Sequence, residues 1–321
     1  MGTNYMMDEL WLIGTGPMGV AYSEVLVNKN VEFRVVGRGE KSASAFRSKT
    51  GLNAQTGGIH NALSVLPPPK LAIVAVQEVH LYETTMALIR AGCKRVLIEK
   101  PGALAFSELE KMDKDATIAG TELYVAYNRR FHSSVSRARE LIESDGGLQS
   151  IDFDFTEFSS VVENLPTANE TKERWLLANS SHVLDLVFFL AGIPKAWKYF
   201  QSGSLDWHSS GKIFSGAGIT LEHKVFSYLS DWGAPGRWRI EVRTSVRKLL
   251  LQPLEGLKEM SRSSFEYGEV ELDVELDQKF KPGVWQMTTD FLDGREGILC
   301  TLNQHILHSR HYFEIAGYPL G

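Results

Sequence analysis

The strongest constraint on the fold is a glycine-rich hexapeptide near the start of the chain, Gly14-Thr15-Gly16-Pro17-Met18-Gly19. It follows an apolar run, Leu10–Ile13, that predicts a buried strand, and it opens a stretch from Pro17 to about Asn28 that predicts a helix. In such a unit the first glycine permits the tight turn, the second lets a pyrophosphate approach the backbone, and the third lets the helix pack closely on the strand. The helix N-terminus adds free N–H groups for phosphates. The hexapeptide therefore predicts a dinucleotide-binding Rossmann unit whose cofactor contacts all six residues.

The segments that follow alternate short apolar runs with amphipathic stretches, which is typical of βαβ units around a parallel sheet. Strands are predicted at Phe33–Val36, Leu71–Val76, Arg95–Ile98 and Leu123–Ala126, and a helix is predicted over about Val79–Ala91. We therefore predict an α/β fold whose dinucleotide-binding domain spans residues 1–125.

From about Gln149 the pattern changes. Apolar and polar residues alternate in Ile151–Phe155 and over much of Ile219–Leu229, and further strand-like runs occur at Arg239–Val242 and Lys248–Leu251. Helices are predicted at Ser180–Leu190, Val284–Leu292 and Asn303–Ala316. Alternation indicates a sheet with one face partly in water. Residues 126–321 are therefore predicted to form an α+β domain with an open, mostly antiparallel sheet, and the substrate is expected in a cleft between the domains.

The end of the second predicted strand indicates which dinucleotide is preferred. An NAD site usually carries an acidic residue about 20 positions after the turn, where it accepts a hydrogen bond from the ribose 2′-hydroxyl. Here the strand continues into Gly37 and Arg38, and a guanidinium suits a 2′-phosphate, with Lys41 and Ser42 as further contacts. We predict that NADP(H) is preferred. NAD(H) stays open as the alternative, with Arg38 as a solvated loop residue.

Three further motifs follow in order: Glu99-Lys100-Pro101, Tyr127-Asn128-Arg129-Arg130-Phe131 and His182-x-x-Asp185. Together with the glycine turn, they resemble the family of glucose–fructose oxidoreductase, inositol dehydrogenase and rhizopine-catabolism proteins. The resemblance in order and spacing covers about the first 190 residues, and the rest agrees only in its pattern of strands and helices.

The resemblance implies roles for the residues of these motifs. Lys100, which lies after a strand and before a proline that is a candidate for a cis bond, would reach the nicotinamide ribose and a substrate hydroxyl. Glu99 would support the cofactor. His182 is the candidate general acid and base, because an imidazole can take or return the proton of an alcohol. Asp185 shares its helix face and would orient the imidazole or contact the substrate.

One position departs from the family pattern. An aspartate usually stands four residues before the histidine, where this chain has Ala178. Alanine supplies neither charge nor proton, so the catalytic set is reduced to Lys100 and His182. Either Asn179 or Ser181 compensates, or the chemistry differs, or the proton transfer has been lost.

Further candidates follow from position. Asn128 is predicted to contact the cofactor, and Tyr127 and Arg130 the substrate, because they follow the last Rossmann strand. The alternative for Arg130 is a structural salt bridge. Trp175 would stack on a sugar face, with core packing as its alternative, and Asn179 is a candidate substrate contact.

Composition excludes several classes of protein. The net charge of −5 and the lack of a basic stripe argue against nucleic-acid binding, and no apolar run is long enough for a membrane span. Only Cys93 and Cys300 occur, which fits a soluble protein of the reducing cytoplasm. His305, His308 and His311 recur at helical spacing, but nearby carboxylates are lacking, and no metal is predicted.

The sequence therefore predicts an NADP-preferring oxidoreductase acting on a secondary hydroxyl or keto group of a sugar, cyclitol or related polyhydroxy substrate. Two alternatives stay open: redox-assisted elimination or glycoside cleavage on the same scaffold, and a catalytically silent NADP(H)-binding regulator. The resemblance also implies a homodimer or homotetramer through the C-terminal sheet, with Trp232, Trp238 and Val225–Leu229 as the expected apolar interface.

Overall fold

The computed structural model describes residues 9–295 and 297–320. These residues divide into two compact units. The first contains the described residues up to Asn128 together with Gln278–Ile306, and the second contains Arg129–Asp277 and the described residues from Leu307. The chain therefore returns to the first unit after completing most of the second, whereas the sequence indicated one boundary, near residue 125. No helix among the described residues is long and apolar enough to cross a membrane.

The first unit is built on a sheet of seven strands in the order β15-β6-β5-β4-β1-β2-β3. The strands are β1 (Leu10–Ile13), β2 (Arg34–Val36), β3 (Ala54–Gln55), β4 (Leu71–Val74), β5 (Arg95–Glu99), β6 (Glu122–Ala126) and β15 (Cys300–Thr301). The helices are α1 (Pro17–Asn28), α2 (Glu40–Thr50), α3 (Gly58–Val65), α4 (Leu81–Arg90), α5 (Phe106–Ala119) and α11 (Val284–Asp293).

The predicted parallel Rossmann sheet is confirmed. Strands β1 to β6 pair in parallel, and the two residues of β15 add one antiparallel edge strand beside β6. Strands β1 and β4 are buried at every position, as expected for strands covered on both faces. The predicted helix over Val79–Ala91 is a 3₁₀ turn at Glu78–His80 followed by α4.

The second unit is built on a sheet of eight strands in the order β14-β13-β12-β11-β7-β10-β9-β8. The strands are β7 (Ser150–Asp154), β8 (Pro194–Ser202), β9 (Ile213–Thr220), β10 (Val225–Asp231), β11 (Arg239–Arg243), β12 (Arg247–Leu251), β13 (Lys258–Ser261) and β14 (Gly268–Glu269). The helices are α6 (Ser133–Ser144), α7 (Ser159–Glu163), α8 (Asn169–Glu173), α9 (Ser181–Ala191) and α10 (Glu275–Lys279), while α12 (Leu302–Ala316) spans the division between the units.

The second sheet is mostly antiparallel, as predicted, and only β7 and β10 pair in parallel. The alternation over Ile219–Leu229 is not one strand. It spans the end of β9, a turn in which His223 takes a positive φ of 60°, and most of β10. Alternation continues through the turn because both strands bury the same face, so the pattern alone did not locate the reversal.

The expected interface residues need one correction. Trp232 is buried within its own unit, where its ring stacks on Trp207 and its indole N–H donates to the carbonyl of Phe155. It is therefore a core residue and offers no interface area. Val225 and Leu229 are exposed on β10, and Trp238 is half-buried.

Candidate functional site

The glycine turn between β1 and α1 has the geometry that the sequence predicts. Gly14 has a φ of +126°, and a Cβ there would lie 2.1 Å from the Ala75 carbonyl oxygen. A Cβ on Gly19 would lie 2.1 Å from the carbonyl oxygen of Gly14. Both positions therefore require glycine, the first for its backbone conformation and both for close backbone approach.

Gly16 differs from the other two glycines because nothing lies within 4 Å of the position its Cβ would take. It is the N-cap of α1, without a side-chain cap hydrogen bond, and Pro17 is the first helical residue. Gly16 and Pro17 are exposed, while Thr15 and Met18 are half-buried beside them. The first-turn N–H groups of α1 and the open space at Gly16 fit the pyrophosphate of a dinucleotide.

Arg38 lies exposed beyond the tip of β2, and its Nη1 is 2.5 Å from Nε2 of His80. The Ser42 hydroxyl donates to the Gly39 carbonyl over 3.0 Å. Glu40 is the first residue of α2, and its carboxylate accepts a hydrogen bond from Thr56. The tip of β2 is thus followed by an exposed guanidinium that contacts a half-buried imidazole, and the Glu40 carboxylate nearby in sequence accepts a hydrogen bond.

Glu99, the last residue of β5, is buried, and its carboxylate accepts a 2.8 Å hydrogen bond from the Tyr22 hydroxyl. Burial raises the pKa of Glu99, although Lys100, Tyr22 and Lys281 oppose the rise. Lys100 follows and is half-buried, and the Lys100–Pro101 bond is cis, as predicted.

The sequence analysis missed His305, which contacts the proline at the end of the Glu99-Lys100-Pro101 motif. The Pro101 carbonyl oxygen lies 2.8 Å from Nε2 of His305, a buried residue of α12. Lys100 therefore lies between two anchored neighbours, Glu99 and Pro101. His305 is about two hundred residues away along the chain, so its spacing to His308 and His311 was the only local signal.

Tyr127 and Asn128 are buried within the first unit. The Tyr127 ring packs 5.5 Å from the ring of His305, with its hydroxyl 3.4 Å from Nδ1. The Asn128 amide donates to the carbonyl of Pro282 over 2.9 Å. Each side chain has a packing role where it lies, and their contacts with substrate and cofactor stay predictions.

Arg130 and Asp185 form a buried ion pair within the second unit, and each side chain is 1% exposed. The guanidinium donates to both carboxylate oxygens, at 2.8 Å from Nε and 2.6 Å from Nη2. Burial alone would raise the pKa of Asp185, but Arg130 and His308 outweigh it, and the pKa lies below its ordinary value. This geometry favours the structural salt bridge over direct substrate contact for both residues.

The segment that carries His182 begins with a π-helical turn, Leu176–Ser180, which continues into α9. Such turns are rare and frequently mark functional sites. His182 is the second residue of α9 and is 5% exposed, and its ring lies 6.3 Å from that of Trp238. Trp175, immediately before the turn, is buried with its ring edge-on to Trp207.

Glu157 is a second group that sequence reasoning missed. Its buried carboxylate accepts hydrogen bonds from Asn179, Ser180 and Trp238. Asn179, a predicted substrate contact, is therefore half-buried and engaged with this carboxylate. The only local signal for Glu157 is its position just beyond the alternating strand β7.

The histidines of α12 are engaged separately. His305 contacts Pro101, Nδ1 of His308 lies 3.6 Å from Asp185, and Nδ1 of His311 lies 2.9 Å from Glu314. The expectation that carboxylates are lacking near these histidines is therefore wrong for His308 and His311, because Glu314 follows one turn later and Asp185 comes from another helix. Within residues 9–295 and 297–320, no group of three or more histidine, cysteine, aspartate or glutamate side chains is arranged to hold a metal ion.

Taken together, a parallel Rossmann sheet with an open glycine turn defines the first unit as a dinucleotide-binding domain. Residues 10–127 match the family described as oxidoreductase family, NAD-binding Rossmann fold, abbreviated Gfo/Idh/MocA. The resemblance drawn from the motifs is therefore confirmed over these residues, which are similar to the NAD-binding Rossmann domain of that family.

A curated relative and two solved structures add to this result. Over 134 residues the chain is 31% identical to scyllo-inositol 2-dehydrogenase (NADP(+)) IolW of Bacillus subtilis, a match that covers 40% of this chain and 37% of that protein. UDP-N-acetylglucosamine 3-dehydrogenase GnnA from Acidithiobacillus ferrooxidans superposes with a TM-score of 0.74 at 13% identity, covering 98% of this chain and 99% of GnnA. Levoglucosan dehydrogenase in complex with NADH superposes with a TM-score of 0.78 at 16% identity, covering 96% and 95%. At these identities the two structures show the fold alone, over the parts of this chain that they cover.

Proposed function

We propose that this protein is an NADP(H)-preferring oxidoreductase that transfers a hydride between nicotinamide and a secondary hydroxyl or keto group of a sugar, cyclitol or related polyhydroxy compound. The observation that carries the proposal is the glycine turn, with Gly16 open and uncapped, in the same unit as Lys100 at the carboxyl end of β5. The substrate class is supported by the names of the similar proteins, which act on an inositol, on a nucleotide sugar and on levoglucosan.

The cofactor preference rests on Arg38. Its exposed guanidinium lies beyond β2, and the Glu40 carboxylate, two residues later in the sequence, accepts a hydrogen bond from Thr56. IolW is named as an NADP(+) enzyme, whereas levoglucosan dehydrogenase was solved with NADH, so relatives alone do not decide the preference. A charge-assisted hydrogen bond contributes about 1.5–3 kcal/mol. Arg38→Gln is therefore expected to weaken NADPH binding about ten- to a hundredfold and NADH binding little.

The chemistry divides between the chain and the cofactor. Bound NADP(H) supplies or accepts the hydride. Lys100 orients the substrate oxygen and stabilises the negative charge that develops on it. His182 takes the hydroxyl proton in oxidation and returns it in reduction.

Turnover of a panel of sugars, cyclitols and their keto forms tests these roles. His182→Ala and Lys100→Met are expected to lower kcat by at least about a hundredfold, the lower range of general acid–base contributions. His60→Ala is the matched control, because the His60 side chain is 65% exposed and pairs with Glu83 at the surface. Turnover of His182→Ala within a few-fold of wild type would remove the assigned role.

Ala178 favours a second candidate. It is buried in the turn before His182 and gives that turn no carboxylate. A chain without this group suits an elimination or glycoside cleavage in which transient oxidation leaves no net redox change. Product formed without a lasting change in nicotinamide absorbance would identify that reaction. If no carbonyl compound of the panel exchanges hydride with the cofactor, the silent regulator is favoured instead.

We further propose that the chain forms a homodimer or homotetramer in the cytoplasm through its second sheet. Phe200 on β8 and Leu229 on β10 are 69% and 62% exposed and both pair with Ser215, so their side chains share one face. The buried free thiols of Cys93 and Cys300 fit a reducing compartment. Sedimentation should detect a species above 35.9 kDa, which Phe200→Lys should dissociate; a wild-type monomer at micromolar concentration would contradict this assembly.

A further inference from the structure

We infer that Glu157 is a positioning residue for His182: its buried carboxylate fixes both the turn that leads into the histidine helix and the indole that packs on the imidazole. The inference rests on the proposed function, in which His182 moves the proton.

Glu157 lies three residues beyond β7 and is 7% exposed. Its Oε1 accepts hydrogen bonds from the Ser180 hydroxyl at 2.7 Å and the Trp238 indole at 3.2 Å. The Asn179 amide lies 3.1 and 3.0 Å from its two oxygens. A carboxylate with this many donors has a defined position, and it fixes the donors in turn.

The partners of Glu157 border the histidine from two sides. Asn179 and Ser180 are the last residues of the π-helical turn, and Ser180 is two residues before His182. Trp238 comes from the segment before β11, and its ring lies 6.3 Å from the imidazole at an interplanar angle of 50°. One carboxylate therefore connects the backbone that carries the imidazole with the ring that contacts it.

The charge of this group distinguishes it from an ordinary packing residue. Burial raises the pKa of Glu157, and the hydrogen bonds from Ser180, Asn179 and Trp238 oppose the rise. All three of these donors are uncharged, and together they form the set of donors that an ionised carboxylate accepts. Burying a carboxylate costs more free energy than burying an amide. If this position needed only a hydrogen-bond acceptor, an uncharged amide would serve.

Two charged groups in the same region have contacts of their own. The Arg129 guanidinium lies 4.8 Å from the centroid of the Trp238 ring, on which His182 also packs. Asp185, three residues along α9, is paired with Arg130. Glu157 differs from them because its carboxylate binds both Ser180, in the turn that leads into His182, and Trp238, whose ring packs on His182.

The experiment is an NMR titration of the His182 imidazole in the full chain, assigned with His182→Ala, for wild type and Glu157→Gln. Removing the charge while keeping the side chain's shape is expected to lower the pKa of His182 by about half a unit or more, because a nearby carboxylate stabilises the imidazolium. Trp238→Phe, which keeps a ring and removes the indole N–H, should also move the titration.

Glu163→Gln is the matched control, because Glu163 is exposed and the same chemical change occurs six residues away. The control should titrate like wild type. Where turnover is found, Glu157→Gln should lower kcat about tenfold or more, shift the pH profile in the same direction as the NMR titration, and leave the Kd for NADPH within twofold.

An unchanged His182 titration in both folded variants would overturn the inference. The NMR readout needs no substrate, so it separates this inference from the proposed function. A protein without turnover on any compound would refute the function and still report whether Glu157 positions His182.

Discussion

The buried pair of Arg130 and Asp185 gives a prediction whose size follows from its geometry. The substitution Arg130→Met keeps an unbranched apolar side chain and removes a guanidinium that donates at 2.8 and 2.6 Å to a carboxylate 1% exposed. Asp185 then keeps its contact with His308, whose Nδ1 lies 3.6 Å away. Breaking a buried pair on one side costs about 3–5 kcal/mol. The unfolding equilibrium is expected to shift roughly a hundredfold to several thousandfold.

The loss depends on pH in a fixed direction. Arg130 and His308 hold the pKa of Asp185 below its ordinary value against the effect of burial. The pair's contribution is therefore complete above the unfolded pKa, about 3.9, and is lost as the pH falls through the folded pKa. In Arg130→Met the buried Asp185 carboxyl lacks its guanidinium partner, so its pKa in the folded protein rises. The free energy of unfolding of this variant then falls as the pH increases through that raised pKa. The difference between the two proteins should be largest near neutral pH and shrink toward about pH 4.

Urea unfolding followed by tryptophan fluorescence, repeated across this pH range, measures both effects. Arg137→Met is the control, because its side chain is 45% exposed and pairs with Glu140 one turn away, an arrangement that contributes about 0–1 kcal/mol. The double variant Arg130→Met with Asp185→Leu should recover much of the loss, since it leaves no buried charge. A loss below about 1 kcal/mol at neutral pH, or one independent of pH, would refute this reasoning.

Two further predictions concern the first unit. Gly19→Ala should lower the Tm and abolish NADPH binding, because the new Cβ would lie 2.1 Å from the Gly14 carbonyl oxygen. Gly16→Ala should keep the wild-type Tm and still lose affinity for NADPH, because its Cβ would occupy open space. Equal Tm values for the two variants would be inconsistent with this turn. The thiols of Cys93 and Cys300 should resist Ellman's reagent until the protein unfolds, because both are buried and burial raises the pKa of Cys93 to about 12; rapid labelling of the native protein would contradict that burial.

Local patterns predicted the Rossmann unit well because its signals are local. The apolar runs, the glycine hexapeptide and the helix that starts at Pro17 lie within about 20 consecutive residues, and each residue's role follows from its neighbours. The second sheet was predicted as a class, but the reversal at His223 and the burial of Trp232 were not. Both depend on which strands pair, and pairing is decided by contacts distant in sequence.

In the candidate site, too, residues within local motifs could be predicted, and residues brought in by long-range contacts could not. Lys100 and His182 were identified by motif, while the groups that anchor their surroundings were not. His305 reaches Pro101 from the far end of the chain, and Glu157 reaches Ser180 across 23 positions. Arg130 was predicted to contact the substrate because it follows the last Rossmann strand, and Asp185 because it shares a helix face with His182. In the structure the two side chains pair with each other. A charged residue in a sequence does not indicate its partner, and only packing brings the two together.

We expect the first unit to bind a phosphorylated nicotinamide dinucleotide through the glycine turn and Arg38. A side-by-side fluorescence titration of the purified protein with NADPH and NADH measures this preference. NADPH should bind clearly more tightly than NADH, and Arg38→Gln should remove most of the difference. Equal or tighter binding of NADH would contradict the role of Arg38, and binding of neither by folded, cofactor-free protein would contradict the function itself.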